Sequence, residues 1–135
     1  MLRIAGREPE GVVTTMLTLQ ELGTLTGFSQ EKLVKSVGRE TLARMPGGRL
    51  GVPPATAREF LVKQGYEFAP RTVAFVNLKG GVGKTTCAIT TAARAAQYGF
   101  KTCIVDLDPQ GSATLAFDQV PYPEAPLFCD VWTTP

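Results

Sequence analysis

A chain of 135 residues, 44% of them apolar, holds one domain or two very small ones. No apolar run reaches the length of a membrane-spanning helix, and the early Arg3, Arg7, Glu8 and Pro9 argue against a secretory leader. Three cysteines with no histidine argue against a zinc site and fit reduced thiols in a cytoplasm, while the net charge of +2 is split +3 over residues 1–71 and −1 over residues 72–135, a surplus that a solvated surface explains better than nucleic acid does.

Residues 1–16 show no period, and Gly6, Pro9 and Gly11 suit a loose lead-in. Thr18 can cap a helix whose Leu19, Leu22 and Leu25 fall on one face. Thr26-Gly27-Phe28 reads as a tight turn in which Gly27 takes a positive φ. Ser29 is a natural cap for a second helix, with Leu33 and Val37 turned to the first. Two short helices, a glycine turn and a polar second helix make a helix-turn-helix candidate. Gln30, Glu31, Lys32 and Lys35 would then face a DNA groove. A plain helical hairpin without DNA contact fits the same residues, and Gly23 weakens the first helix.

Met45-Pro46-Gly47-Gly48-Arg49 reads as a turn or wing-like loop, with Arg44 and Arg49 placed to touch phosphates. Pro53-Pro54 opens a third helix, in which Ala57, Phe60 and Leu61 recur at helical spacing and which Gly65 ends. The boundary falls near Pro70, giving a helical domain over 1–70 and a second unit over 71–135.

The second unit changes period. Thr72-Val73-Ala74-Phe75-Val76 reads as a strand that runs into Lys79-Gly80-Gly81-Val82-Gly83-Lys84-Thr85-Thr86. That string is a phosphate-binding loop: glycines let the backbone aim its N–H groups at an anion, and a helix N-terminus adds its dipole. Lys84 offers a cation for β- and γ-phosphates, and Thr85 a hydroxyl for Mg²⁺. An alanine-rich helix from Lys84 to about Tyr98 stops at Gly99, and Cys103-Ile104-Val105 forms a second strand ending at Asp106. Strand, helix and strand make a parallel unit with both motifs at the carboxyl ends of its strands. Cys87 and Cys103 read as small core residues of that unit. After Leu115 the pattern fades, apart from one apolar helical turn suggested by Leu127, Phe128, Val131 and Trp132.

The general loop pattern needs glycine at position 78, where this chain has Leu78. The pattern K-G-G-x-G-K-[ST] is met instead, and Asp106-Leu107-Asp108-Pro109-Gln110-Gly111 follows it. Together they resemble the two signature segments of the ParA/MinD family of deviant Walker A ATPases. The resemblance implies an α/β fold: the N-terminal part of a doubly wound parallel sheet, preceded here by a small domain that is helix-turn-helix-like. Gly80, Gly81, Val82, Gly83, Lys84, Thr85 and Thr86 would bind ATP, with Thr86 at the α-phosphate. Thr85 and Asp106 would stand at Mg²⁺. Asp108 would position the attacking water, and Lys79 would reach the ATP of a second copy. The partners implied are DNA, a second copy joined by ATP, and a protein on a centromere-like site, with no membrane. The setting implied is cytoplasmic and nucleoid-associated.

The resemblance covers about residues 72–117, with 49 residues after Thr86. The Walker B strand, which in that family lies between the two strands read here, is missing. The chain thus reads as a truncated front end that hydrolyses ATP poorly or not at all. The alternative is a non-enzymatic DNA-binding module over residues 17–65 with a remnant nucleotide segment.

Overall fold

The computed structural model describes residues 16–108 and 110–117. Helix α1 spans Leu19–Thr26 and begins in a reciprocal cap. The Thr18 hydroxyl accepts the Glu21 N–H at 3.2 Å, and the Glu21 carboxylate accepts the Thr18 N–H at 2.8 Å. Gly27, at φ 74°, closes the helix by donating to the Gly23 carbonyl at 2.8 Å. Helix α2 spans Gln30–Val37, capped by Ser29, whose hydroxyl accepts the Lys32 N–H. Helix α3, Pro54–Lys63, starts on proline, whose missing N–H costs nothing in a first turn.

These helices fold around a sheet that the helical reading of residues 1–70 did not contain. Strands β1 (Leu17–Thr18), β2 (Ala43–Arg44) and β3 (Leu50–Val52) are antiparallel in the order β1-β3-β2. Leu17 faces Val52, and Ala43 faces Gly51. Strands of two or three residues are too short to show an alternating period, so nothing in the pattern announced them.

The core is one cluster of Leu17, Leu19, Leu22, Leu33, Val52, Ala57, Phe60 and Leu61. Phe28 meets Phe60 edge to face at 5.9 Å. Leu25, expected on the buried face, is 41% exposed. At 100° per residue it lies 60° round from Leu22, enough to leave the core side in the last turn.

The second unit departs further from expectation. Helix α4 spans Lys84–Gln97, close to the bounds read from sequence, and a short α5 spans Ser112–Ala116. Segments 72–76 and 103–105 form no strand, so the parallel unit is not built among the described residues. Val73, Val76 and Val105 are exposed. Among the described residues, neither segment has a strand beside it to complete its ladder. Cys87 and Cys103 are exposed thiols rather than core residues, because among the described residues no sheet covers that side. The lead-in, Pro109, the apolar turn at 127–132 and Cys129 lie outside the described residues.

Helix α4 docks on the first domain by its far end. Arg94 donates to Glu21 at 2.9 Å and to Gln97 at 2.7 Å, and Arg58 donates to the Gly99 carbonyl at 2.9 Å. Phe68 stacks against Phe100 at 4.5 Å, under the Arg58 guanidinium. Gly99 sits at φ 87°, and a Cβ there would come within 2.5 Å of the Pro54 carbonyl oxygen. Only glycine supplies both that conformation and that close approach.

Glu21 therefore caps α1 and ties it to α4. The Thr18 N–H, then the Thr18 hydroxyl and Arg94, hold its carboxyl below the usual range against an opposing push from burial. A depressed carboxyl contributes stability above its unfolded value and loses it as pH falls through the folded value. The urea midpoint of the wild type should thus drop between about pH 5 and pH 3. Glu21→Gln should remove roughly half a kcal/mol of that acid-dependent loss, a surface-pair magnitude because the side chain is more than a third exposed. An unchanged acid slope in the variant would show that other carboxyls carry it.

Candidate phosphate-binding site

The loop before α4 turns on two left-handed glycines, Gly81 at φ 72° and Gly83 at φ 86°. A Cβ at Gly80, Gly81 or Gly83 would meet nothing within 4 Å, so the glycines serve backbone conformation and leave open space beside the loop. The Lys79 N–H is held by the Asn77 side chain at 2.9 Å. Lys84, the first residue of α4, folds its ammonium back onto the Lys79 carbonyl at 3.1 Å. Thr85 and Thr86 follow in the first turn, where backbone N–H groups lack helical acceptors.

Residues 80–86 line a cleft of about 570 Å³ together with Ile89, Asp108, Ser112 and Ala116. The structure thus brings Asp108 to the phosphate loop across 22 residues of sequence. Asp108 accepts the Gln110 N–H through Oδ1 at 2.9 Å. Asp106 stands behind it, with Oδ1 on the Asp108 N–H at 3.1 Å and Oδ2 on the Ala113 and Thr114 N–H groups at 3.0 and 3.2 Å. Neither Asp106 nor Lys79 lines the cleft. Sequence reasoning missed Ile89, Ser112 and Ala116. The last two ride on α5, whose five residues are too few to show a helical period.

Among the described residues, no group of three or more His, Cys, Asp or Glu side chains is clustered to hold a metal by itself, and no helix is long and apolar enough to cross a membrane. A wider apolar trough, about 660 Å³, runs along α4 past Thr90, Arg94 and Tyr98 and contains none of the loop.

On the first domain, Gln30, Lys32 and Lys35 are exposed along α2. The Lys32 ammonium lies over the Phe28 ring at 3.6 Å. The wing-like loop joins β2 to β3, with the Met45 N–H bonded to the Arg49 carbonyl at 2.8 Å, and Arg44 and Arg49 are exposed at its two ends.

A glycine loop running into a helix N-terminus, a lysine and a hydroxyl at the helix start, and a carboxylate across the cleft define the P-loop class of nucleotide site. Comparison with known proteins narrows the class. A family described as "AAA domain" matches residues 70–131. The chromosome-partitioning ATPase Soj of Thermus thermophilus is 59% identical over 44 residues, which are 33% of this chain and 18% of that protein. The Soj of Treponema pallidum is 60% identical over 42 residues, 31% of this chain and 17% of the relative. The chromosome partitioning protein ParA of Myxococcus xanthus is 47% identical over 51 residues, 38% of this chain and 18% of the relative. The chain therefore spans under a fifth of the length of these relatives. No solved structure matches it. Over residues 70–131 the chain is similar to the ParA/MinD family of P-loop ATPases.

Proposed function

We propose that residues 70–131 bind Mg·ATP as the nucleotide site of a partition ATPase, and that residues 17–65 bind DNA for the same segregation task. The observation that carries the first half is the shared cleft of the glycine loop and Asp108. Lys84 swings from the Lys79 carbonyl to the β- and γ-phosphates, exchanging a neutral acceptor for a charged one. Thr85 would hold Mg²⁺ through its hydroxyl, and Thr86 would meet the α-phosphate. Bound Mg²⁺ would neutralise developing charge on the phosphates. Asp108 orients the attacking water. Lys79, outside the cleft, reaches the ATP of a second copy, so that nucleotide joins two chains and its loss releases them. A protein on a centromere-like DNA site stimulates the cycle, in a nucleoid-associated cytoplasmic setting. Fluorescence titration with an ATP analogue in Mg²⁺ tests the reading; saturable binding supports it, and no binding at millimolar analogue sinks it.

One observation favours the non-enzymatic alternative for this stretch of chain. The closed core belongs to the first domain, whereas segments 72–76 and 103–105 stand unpaired. Both readings share the DNA surface of α2. Lys35→Glu should weaken binding to duplex DNA about tenfold and flatten the log–log salt dependence by about one charge. Salt-dependent binding that survives the substitution unchanged would move the interface off α2.

A further inference from the structure

Asp106 was read from the family resemblance as a neighbour of the metal's water shell. Its surroundings support a different role. Four donors converge on its carboxylate: the Asp108 N–H on Oδ1, and the Ala113 N–H, the Thr114 N–H and the Thr114 hydroxyl (3.4 Å) on Oδ2. A carboxylate offers about four acceptor positions over its two oxygens, and Oδ2 is already shared by three donors. A metal-bound water would have to displace these bonds. The four donors also belong to two different places. One is the turn that carries Asp108, tightened by Gln110 N–H on Asp108 Oδ1 and Gly111 N–H on the Asp108 carbonyl at 2.8 Å. The others lie in the first turn of α5, which brings Ser112 and Ala116 to the cleft wall.

We propose that Asp106 is a positioning residue: its carboxylate clamps the Asp108 turn to the start of α5 and so holds Asp108, Ser112 and Ala116 against the phosphate loop. The clamp rests on the nucleotide reading for what that wall faces, but its bonds all lie within the chain. An unpaired first turn of α5 would leave N–H groups without acceptors, and five residues are too few to hold a helix by propensity alone. One charged acceptor satisfying two of those N–H groups offsets that cost.

Asp106→Asn separates the clamp from a metal role. An amide has one accepting end and one donating end, so its NH₂ must face either the Asp108 N–H or the α5 donors. Two readouts on the full chain decide. In amide hydrogen exchange without nucleotide, Ala113 and Thr114 should lose protection about tenfold in the variant. In titrations with a fluorescent ATP analogue, affinity should fall about tenfold both with Mg²⁺ and with EDTA, because the wall is misplaced in either buffer. A loss confined to the Mg²⁺ titration would overturn the clamp in favour of the metal shell, and so would unchanged protection of both amides. Thr114→Val removes only the hydroxyl donor and should shift both readouts in the same direction by less. If the wild type binds the analogue in neither buffer, the nucleotide reading fails by itself, and the exchange of Ala113 and Thr114 alone upholds or overturns the clamp.

Discussion

Lys84→Ala should lower the affinity for Mg·ATP about a hundredfold, with the helical content and melting of the first domain unchanged. The magnitude follows from what the ammonium does in each state. In the free chain Lys84 makes one bond, to the Lys79 carbonyl, on an open loop. Truncating it there leaves a carbonyl that water can serve, so folding loses little. In the proposed nucleotide complex the same ammonium would meet two phosphates, and bonds between charged groups contribute about 1.5–3 kcal/mol each. A loss of about 3 kcal/mol corresponds to a little over two decades in dissociation constant. Titration of wild type and variant with the same fluorescent analogue checks it. Equal affinities would mean that the glycine loop is a structural turn, and the family segment would then be a remnant beside a DNA-binding domain.

The parts of this molecule legible in its sequence are those that local chemistry decides. Thr18, Gly27 and Ser29 each announced a helix end because a hydroxyl acceptor or a positive φ is needed at one residue, with no help from elsewhere. The turn of the glycine loop was legible for the same reason, since Gly81 and Gly83 take left-handed conformations open to glycine. Features requiring a distant partner were not. The β1-β3-β2 sheet joins residues 17–18 to 50–52 through strands too short to carry a period. The expected strands at 72–76 and 103–105 have the right composition but no neighbour, and β-propensity describes a fit to a half-buried surface that must first exist. The bonds of Asp106 are a third case. Spacing placed it beside Asp108, but only α5 shows where its oxygens go.

Leu22→Ala should unfold most of the first domain at room temperature, whereas Leu25→Ala, one turn along the same helix, should cost less than about 0.5 kcal/mol. Leu22 is fully buried in the one core cluster, and Leu25 is 41% exposed. Truncating a buried leucine removes transfer free energy and leaves a cavity, together about 2–5 kcal/mol. A domain of roughly fifty residues has only a few kcal/mol to lose, because so small a body buries a modest share of its surface. Urea titration followed by circular dichroism reads both variants, and comparable losses in the two would mean that α1 packs on a different face. The consequence reaches the second unit. Arg94 docks on Glu21, and Arg58 and Phe68 hold Gly99 and Phe100, so the far end of α4 leans on a surface that Leu22 supports. The phosphate loop lies at the opposite end of α4, 13 residues and about 20 Å from Gln97, and takes its shape from its own glycines. On the proposed function, Leu22→Ala should therefore abolish the DNA binding assigned to the first domain while weakening the ATP binding assigned to the loop only as far as α4 frays, the opposite pattern to Lys84→Ala.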